Sequence, residues 1–281
     1  MKKFFLFLFL FVAVAALNAQ VCYTKADSVR VVQLLNMGRT LSPQANAVLF
    51  YARQFINTPY VAHTLEVNDE ERLVVNVLEV DCTTFVEYVL ALVQCVENKQ
   101  FTFQAFCDYL AKIRYINGKI HYTKRQHYFT LWMNENEKDG FIQNVSSPNP
   151  PYSAVQTVKV NYMTQHVALY KMLNANKEWL PQVRNMEQSI NGEKYTYIPK
   201  NQLLNNKTLR STVKSGDIIS IITSKNGLDT SHIGFAVWHE DGLHMLHASS
   251  IKKKVIEDAQ LLRTYMYAHK THLGIRTAHV L

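Results

Sequence analysis

The sequence predicts an α+β protein, with helices first and an antiparallel sheet second. Three observations carry this. Apolar residues recur at three- and four-residue spacings through the first part of the chain. Four of the nine glycines gather between Gly216 and Gly242. Short β-branched and aromatic runs flank those glycines and are bounded by turn dipeptides, the pattern of hairpins. Elements segregated in this way make α+β rather than alternating βαβ units.

In chain order, Val29, Val32, Leu34 and Leu35, then Ala45, Val48, Leu49 and Phe55, predict helix from residue 27 to about 56, broken by Asn57-Thr58-Pro59. Phe85, Val89, Leu92, Val93 and Val96 mark one face of a second helix, uninterrupted by Gly or Pro, with Asp81 as its N-cap. Thr84 with Glu87 offers a capping-box spacing for a later start. A third helix covers residues 103–115. Residues 144–151 hold three of the seven prolines and read as a loop. A helix is expected over residues 166–176. Residues 218–222, 233–238 and 243–248 predict strands, with turn signals at Asn226-Gly227 and Asp241-Gly242. No internal repeat and no long linker divides the 281 residues.

Lys2 and Lys3 precede an apolar run over residues 4–17, shorter than the roughly 18–20 residues that span a bilayer. Leu17-Asn18-Ala19 follows as a processing site. Residues 1–19 therefore read as a signal peptide cleaved after Ala19, and the protein as exported to the periplasm or cell envelope. Val21 is too large for the residue before a lipidated Cys22. The formal charge of +8 becomes +6 without Lys2 and Lys3. It is scattered, with no basic stripe interleaved with aromatics, so nucleic acid is not an expected partner. With 48% hydrophobic and 19% charged residues, the chain is not of the disordered class.

The four cysteines are Cys22, Cys82, Cys95 and Cys107. An even count in an exported chain invites disulfides, whereas the lack of any CxxC pair excludes zinc-ribbon and thioredoxin-like patterns. Cys95 and Cys107 lie among apolar residues as core thiols or one disulfide. Cys82 stands in a helix's first turn just after its cap. Unpaired N–H groups and the positive dipole end there favour a thiolate, lowering a thiol pKa from about 8.5 into the range of about 3.5–7.5. The same N–H groups can hold an oxyanion. A thiolate nucleophile needs a base, and the base an orienting partner.

His232 and His247 supply candidates on adjacent strands. A four-residue loop closed by Val237 and Gly242 sets His232 directly across from His247. A two-residue turn on Asp241-Gly242 would face His247 to Ala236 instead. Both registers put the imidazoles on one sheet face, but only the first, which is the one expected, lets them touch. Two other readings use the same residues: three zinc ligands with an open position, or a secreted binding protein whose cysteines are structural.

Asp81-Cys82-Thr83-Thr84-Phe85-Val86, Ser215-Gly216-Asp217-Ile218, Ser231-His232-Ile233-Gly234 and His247-Ala248-Ser249 resemble the ordered motifs of the NlpC-type, papain-like hydrolases of bacterial cell walls. Thr58-Pro59-Tyr60-Val61, Arg125-x-His127-Tyr128-Phe129, Asn161-Tyr162-Met163-Thr164, Tyr197-Ile198-Pro199-Lys200 and Gly274-Ile275-Arg276 look like the branch resembling N-acetylmuramoyl-L-alanine amidases. The resemblance spans residues 55–276. It implies a single papain-like domain over residues 20–281, with family-specific insertions around 120–210. The nucleophile helix would pack on a C-terminal antiparallel sheet or half-barrel.

It further implies a Cys82–His232–His247 triad that cleaves the amide between N-acetylmuramic acid and L-alanine through a thioester. The alternative is cleavage of the stem peptide after D-glutamate. Tyr60, Asp81, Arg125, His127 and Ser231 become substrate-binding candidates. Muropeptides become the partner, with no cofactor, no metal and a monomeric state. Val61-Ala62-His63-Thr64 stands where the broader pattern has a Trp-Gly-Gly-like stretch.

Overall fold

The structure, a computed structural model, describes residues 20–42 and 44–281, so the expected signal peptide lies outside the described residues. Among the described residues no helix is long and apolar enough to cross a membrane.

The main helices are α1 (Lys25–Gly38), α2 (Ala47–Arg53), α3 (Cys82–Glu97), α4 (Phe103–Arg114), α5 (Phe129–Lys138), α6 (Leu180–Ile190), α7 (Lys207–Thr212) and α8 (Leu262–Ala268). The strands are β1 (Val21–Tyr23), β2 (Leu73–Val75), β3 (Ile142–Val145), β4 (Ala154–Thr157), β5 (Lys194–Pro199), β6 (Ile218–Thr223), β7 (Thr230–Trp238), β8 (Leu243–Ser249), β9 (Lys254–Glu257) and β10 (His272–Val280). A parallel β1–β2 pair stands apart from an eight-stranded sheet of order β4-β5-β10-β6-β7-β8-β9. The last strand, β10, is central: it pairs antiparallel with β6 on one side and with both β5 and β3 on the other.

Local chemistry starts each helix of the core. Thr24 and Asp27 form a reciprocal capping box on α1, and Asn46 and Thr102 cap α2 and α4. At α3 the Asp81 carboxylate accepts from the Thr84 amide at 2.8 Å, while the Thr84 hydroxyl accepts from the Asp81 amide at 2.9 Å. The box thus joins Asp81 to Thr84, and α3 begins at Cys82. The helix is buried on every side from Thr84 to Cys95 because α2, α4, β7 and β8 surround it. Phe85 stands edge-on between Phe55 (5.7 Å) and Phe235 (5.5 Å), tying the N-terminal turn of α3 to β7. Burying such rings stabilises by about 1.5–3 kcal/mol each. The far face of the sheet is covered by Leu209, Leu262 and Met266 from α7 and α8. Cys95 and Cys107 are separate buried thiols.

Three expectations are corrected. Residues 27–56 form two helices rather than one, and Asn57, at φ 72°, turns the chain after the second. Residues 166–176 are not a continuous helix but a 3₁₀ turn (Val167–Leu169) and a single turn (Lys171–Ala175). Extended backbone at Tyr170 separates them and lets Tyr170, Met172 and Leu173 all reach the small core around Tyr128 and Val183. The β7–β8 hairpin has the expected four-residue loop but is closed by Trp238 and Leu243. Trp238 is held as a strand residue because its amide donates to Ser215 Oγ (2.9 Å) and its indole N–H to the Val213 carbonyl (2.8 Å).

Candidate active site

Cys82 opens α3, and its thiol lies against β7. The Ile233 amide, the Thr83 hydroxyl and the Cys82 amide all hydrogen-bond the sulfur. These contacts favour a thiolate but are outweighed: burial first, then the Asp81 carboxylate, push the thiol pKa up to about 12. The lowered pKa expected from the helix end alone is therefore not found. Burial also holds His232 well below its usual value, with His247 the next cause. The two shifts oppose ionisation, one of the Cys82 thiol and the other of the His232 ring.

His232 Nε2 lies 2.5 Å from His247 Nδ1, with the rings nearly perpendicular. The rings touch although the register is not the expected one. The β7–β8 pairing sets Gly234, not His232, opposite His247. The contact is diagonal and depends on the missing side chain: a Cβ on Gly234 would lie 2.8 Å from the Cβ of His247. Each imidazole uses one nitrogen on the other. Among the described residues no group of three or more His, Cys, Asp or Glu is arranged to hold a metal ion.

Tyr60, Asp81, Cys82, Arg125 and His127 share one cleft of about 370 Å³. Tyr60 bridges to Val80, one residue before the cap, and its hydroxyl is pushed up to about 12 by burial and then by Cys82. Arg125, a substrate-binding candidate, is already paired. It is buried, pairs with Glu66 and Glu71 and lies over the Tyr122 ring. His127 Nε2 donates to the Tyr122 carbonyl at 2.9 Å, and burial keeps the ring neutral. Ser231 is not part of the cleft wall, and its buried Oγ has no partner.

Four groups at the site carried no sequence signal. Arg114, from α4, forms a buried ion pair with Glu87 of α3 at 2.7 Å. Arg114, Arg125 and Gln126 border the cleft; Arg114 Nη2 and Gln126 Nε2 are buried there without a hydrogen-bond partner, while Arg125 Nη1 faces Glu71 at 3.5 Å. Tyr265 of α8 packs against both His232 and His247, and its hydroxyl is raised to about 12 by burial and by the Cys82 charge. Asp258 lies beyond His247. Nothing in the short runs around Arg114, Gln126, Tyr265 or Asp258 marks them, because only the fold brings them to Cys82.

Solved structures share this arrangement of helices on an antiparallel sheet. An N-acetylmuramoyl-L-alanine amidase from Bacteroides uniformis is 37% identical, with TM-score 0.78, covering 87% of this chain and 99% of its own. A Bacteroides fragilis protein whose name carries a provisional xylanase assignment is 38% identical, with TM-score 0.76, covering 82% and 98%. A Legionella pneumophila protein, 23% identical with TM-score 0.72 over 92% and 95%, shares the fold. No curated protein is similar enough to this chain to count as a relative. The fold and these similarities define an amidase-like enzyme. The profile described as "N-acetylmuramoyl-L-alanine amidase-like" matches residues 51–275, and the chain belongs to that family.

Proposed function

We propose that the protein is an exported peptidoglycan hydrolase that cleaves the amide between N-acetylmuramic acid and L-alanine. In this reading the scaffold is papain-like, with α3 as the nucleophile helix against β7 and β8, and the mature chain begins after Ala19. Cys82 is the nucleophile, His232 the general base and acid, and His247 its orienting partner. The observation that carries it is the placement of the Cys82 sulfur. It opens a buried helix, accepts from the Ile233 amide next to His232, and borders a cleft shared with Tyr60, Asp81, Arg125 and His127.

In this reading the proton moves on attack. His232 takes it from Sγ as the sulfur electron pair adds to the lactyl carbonyl carbon. The carbonyl oxygen becomes an oxyanion facing first-turn amides of α3. The C–N bond then breaks, protonated His232 gives its proton to the departing L-alanine nitrogen, and water hydrolyses the thioester. Positioned acid–base transfer accounts for about 10²–10⁴ in rate, and an oxyanion donor for about 10²–10³. Tyr60, Asp81, Arg114, Arg125, Gln126 and His127 border the cleft in which a polar substrate would lie.

The test is mass spectrometry of products from ordinary and anhydro-muropeptides. Release of the intact stem peptide is expected, with no turnover by folded Cys82→Ala protein. Two peptide fragments would assign stem-peptide cleavage instead, and full activity of Cys82→Ala would end the reading.

A further inference from the structure

We propose that Asp258 is a positioning residue, its carboxylate holding His247 in the tautomer that fixes the working nitrogen of His232. The proposal rests on the reading of Cys82 as nucleophile. His247 is buried, with a side chain only 1% exposed, and its Nδ1 meets His232 Nε2. Its other nitrogen, Nε2, has no hydrogen-bond partner, and the Asp258 carboxylate lies 3.6 Å away. A neutral imidazole carries one N–H and one lone pair, so the neighbours of one nitrogen decide what the other does.

With a carboxylate facing Nε2, the proton of His247 belongs there. Its Nδ1 is then a bare acceptor and takes the Nε2–H of His232. That leaves His232 Nδ1 without a proton, able to receive the one on Cys82. The opposite tautomer would aim a lone pair at the carboxylate and leave His232 protonated on Nδ1, unable to act as base.

Asp258 is itself held: Oδ1 accepts from the Gln260 amide at 2.9 Å, and its backbone amide donates to the Met245 carbonyl at 2.9 Å. Its carboxyl lies below the usual range, with His247 the main cause. The other groups facing this chain are Cys82 from α3, His232 from β7, Tyr265 from α8 and Lys252 beside Asp258, with His269 and His272 acting on His232. The Asp81 carboxylate acts on Cys82, and the Asp258 carboxylate faces His247.

The experiment compares wild type with Asp258→Asn, Asp258→Ala and Asp258→Glu. It reads the ¹⁵N shifts of the His247 ring, the pH dependence of Cys82 alkylation by iodoacetamide, and kcat and KM on a muropeptide. Wild-type His247 is expected to carry its proton on Nε2. Loss of the carboxylate should move the alkylation midpoint up by about one pH unit, since the imidazole pair holds a proton less well. It should lower kcat by about 10- to 100-fold with KM little changed, and Glu should restore part of the loss. A wild-type ring protonated on Nδ1 would overturn the proposal whatever the variants do. So would a folded Asp258→Ala protein with an unchanged alkylation profile. Alkylation needs no natural substrate: a shifted midpoint without muropeptide cleavage upholds the role of Asp258 while removing the amidase reading.

Discussion

Replacing Gly234 with alanine tests the histidine contact at its tightest point. The added Cβ would sit 2.8 Å from the His247 Cβ, 2.8 Å from the Leu246 carbonyl oxygen and 3.1 Å from Met245 Cγ. Carbon atoms rest at about 3.5–4.0 Å. Two of the three obstacles are a main-chain atom and a Cβ, which yield only if β8 shifts. Overpacking of this kind costs about 1–3 kcal/mol. At about 2–4 °C per kcal/mol for a chain of this size, Tm should fall by roughly 2–12 °C. The shift pushes His247 away from His232, opening the 2.5 Å contact. A misplacement near 1 Å can cost about 10²-fold in rate. Calorimetry and muropeptide turnover should therefore fall together. Wild-type Tm and kcat in the variant would refute both the diagonal register and the need for the contact.

Three further predictions follow from burial and charge. Glu87→Gln leaves Arg114 charged and unpaired where both side chains are nearly inaccessible; denaturant unfolding should show a loss of about 3–5 kcal/mol. Asp81→Asn keeps an oxygen for the Thr84 amide but removes the carboxylate that raises the thiol pKa. Iodoacetamide titration should show the Cys82 midpoint moving down in pH with little change in Tm. Burial holds His127 and His232 well below 6.5 and His272 at about 4. Below about pH 6.5 the unfolded chain binds protons that the folded chain refuses, so stability is full above that value and lost on acidification. His272, held at about 4, adds to the loss as the pH falls towards that value. A Tm that rises between pH 7 and pH 5 would contradict this.

What the sequence made legible is what local chemistry decides. Asp81 as cap, the start of α3 and the paired faces of β6, β7 and β8 each rest on a few neighbouring residues. The β7–β8 register slipped because Trp238 is held in the strand by Ser215 and Val213, more than twenty residues upstream. Residues 272–280 read as scattered motif residues because His272, Arg276 and His279 interrupt the apolar pattern. In the fold, His272 and Arg276 are buried, and the Arg276 guanidinium lies 3.8 Å over the Tyr195 ring while donating to Thr130. The thiol pKa went the other way because a helix end is a local effect, whereas the surrounding apolar core and the capping carboxylate work against charge. Arg125 carries no sequence sign of its partners; Glu66 and Glu71, more than fifty residues before it, pair with it in the buried site.

The central position of β10 also bears on synthesis. As the chain leaves the ribosome, β6 and the earlier β3 and β5 emerge with no strand to bridge them, and residues 272–280 arrive after all the others. The sheet cannot close until translation has passed β10, so any intermediate before that point keeps open edges on both halves. Deleting residues 272–280 would disconnect the halves rather than fray one border.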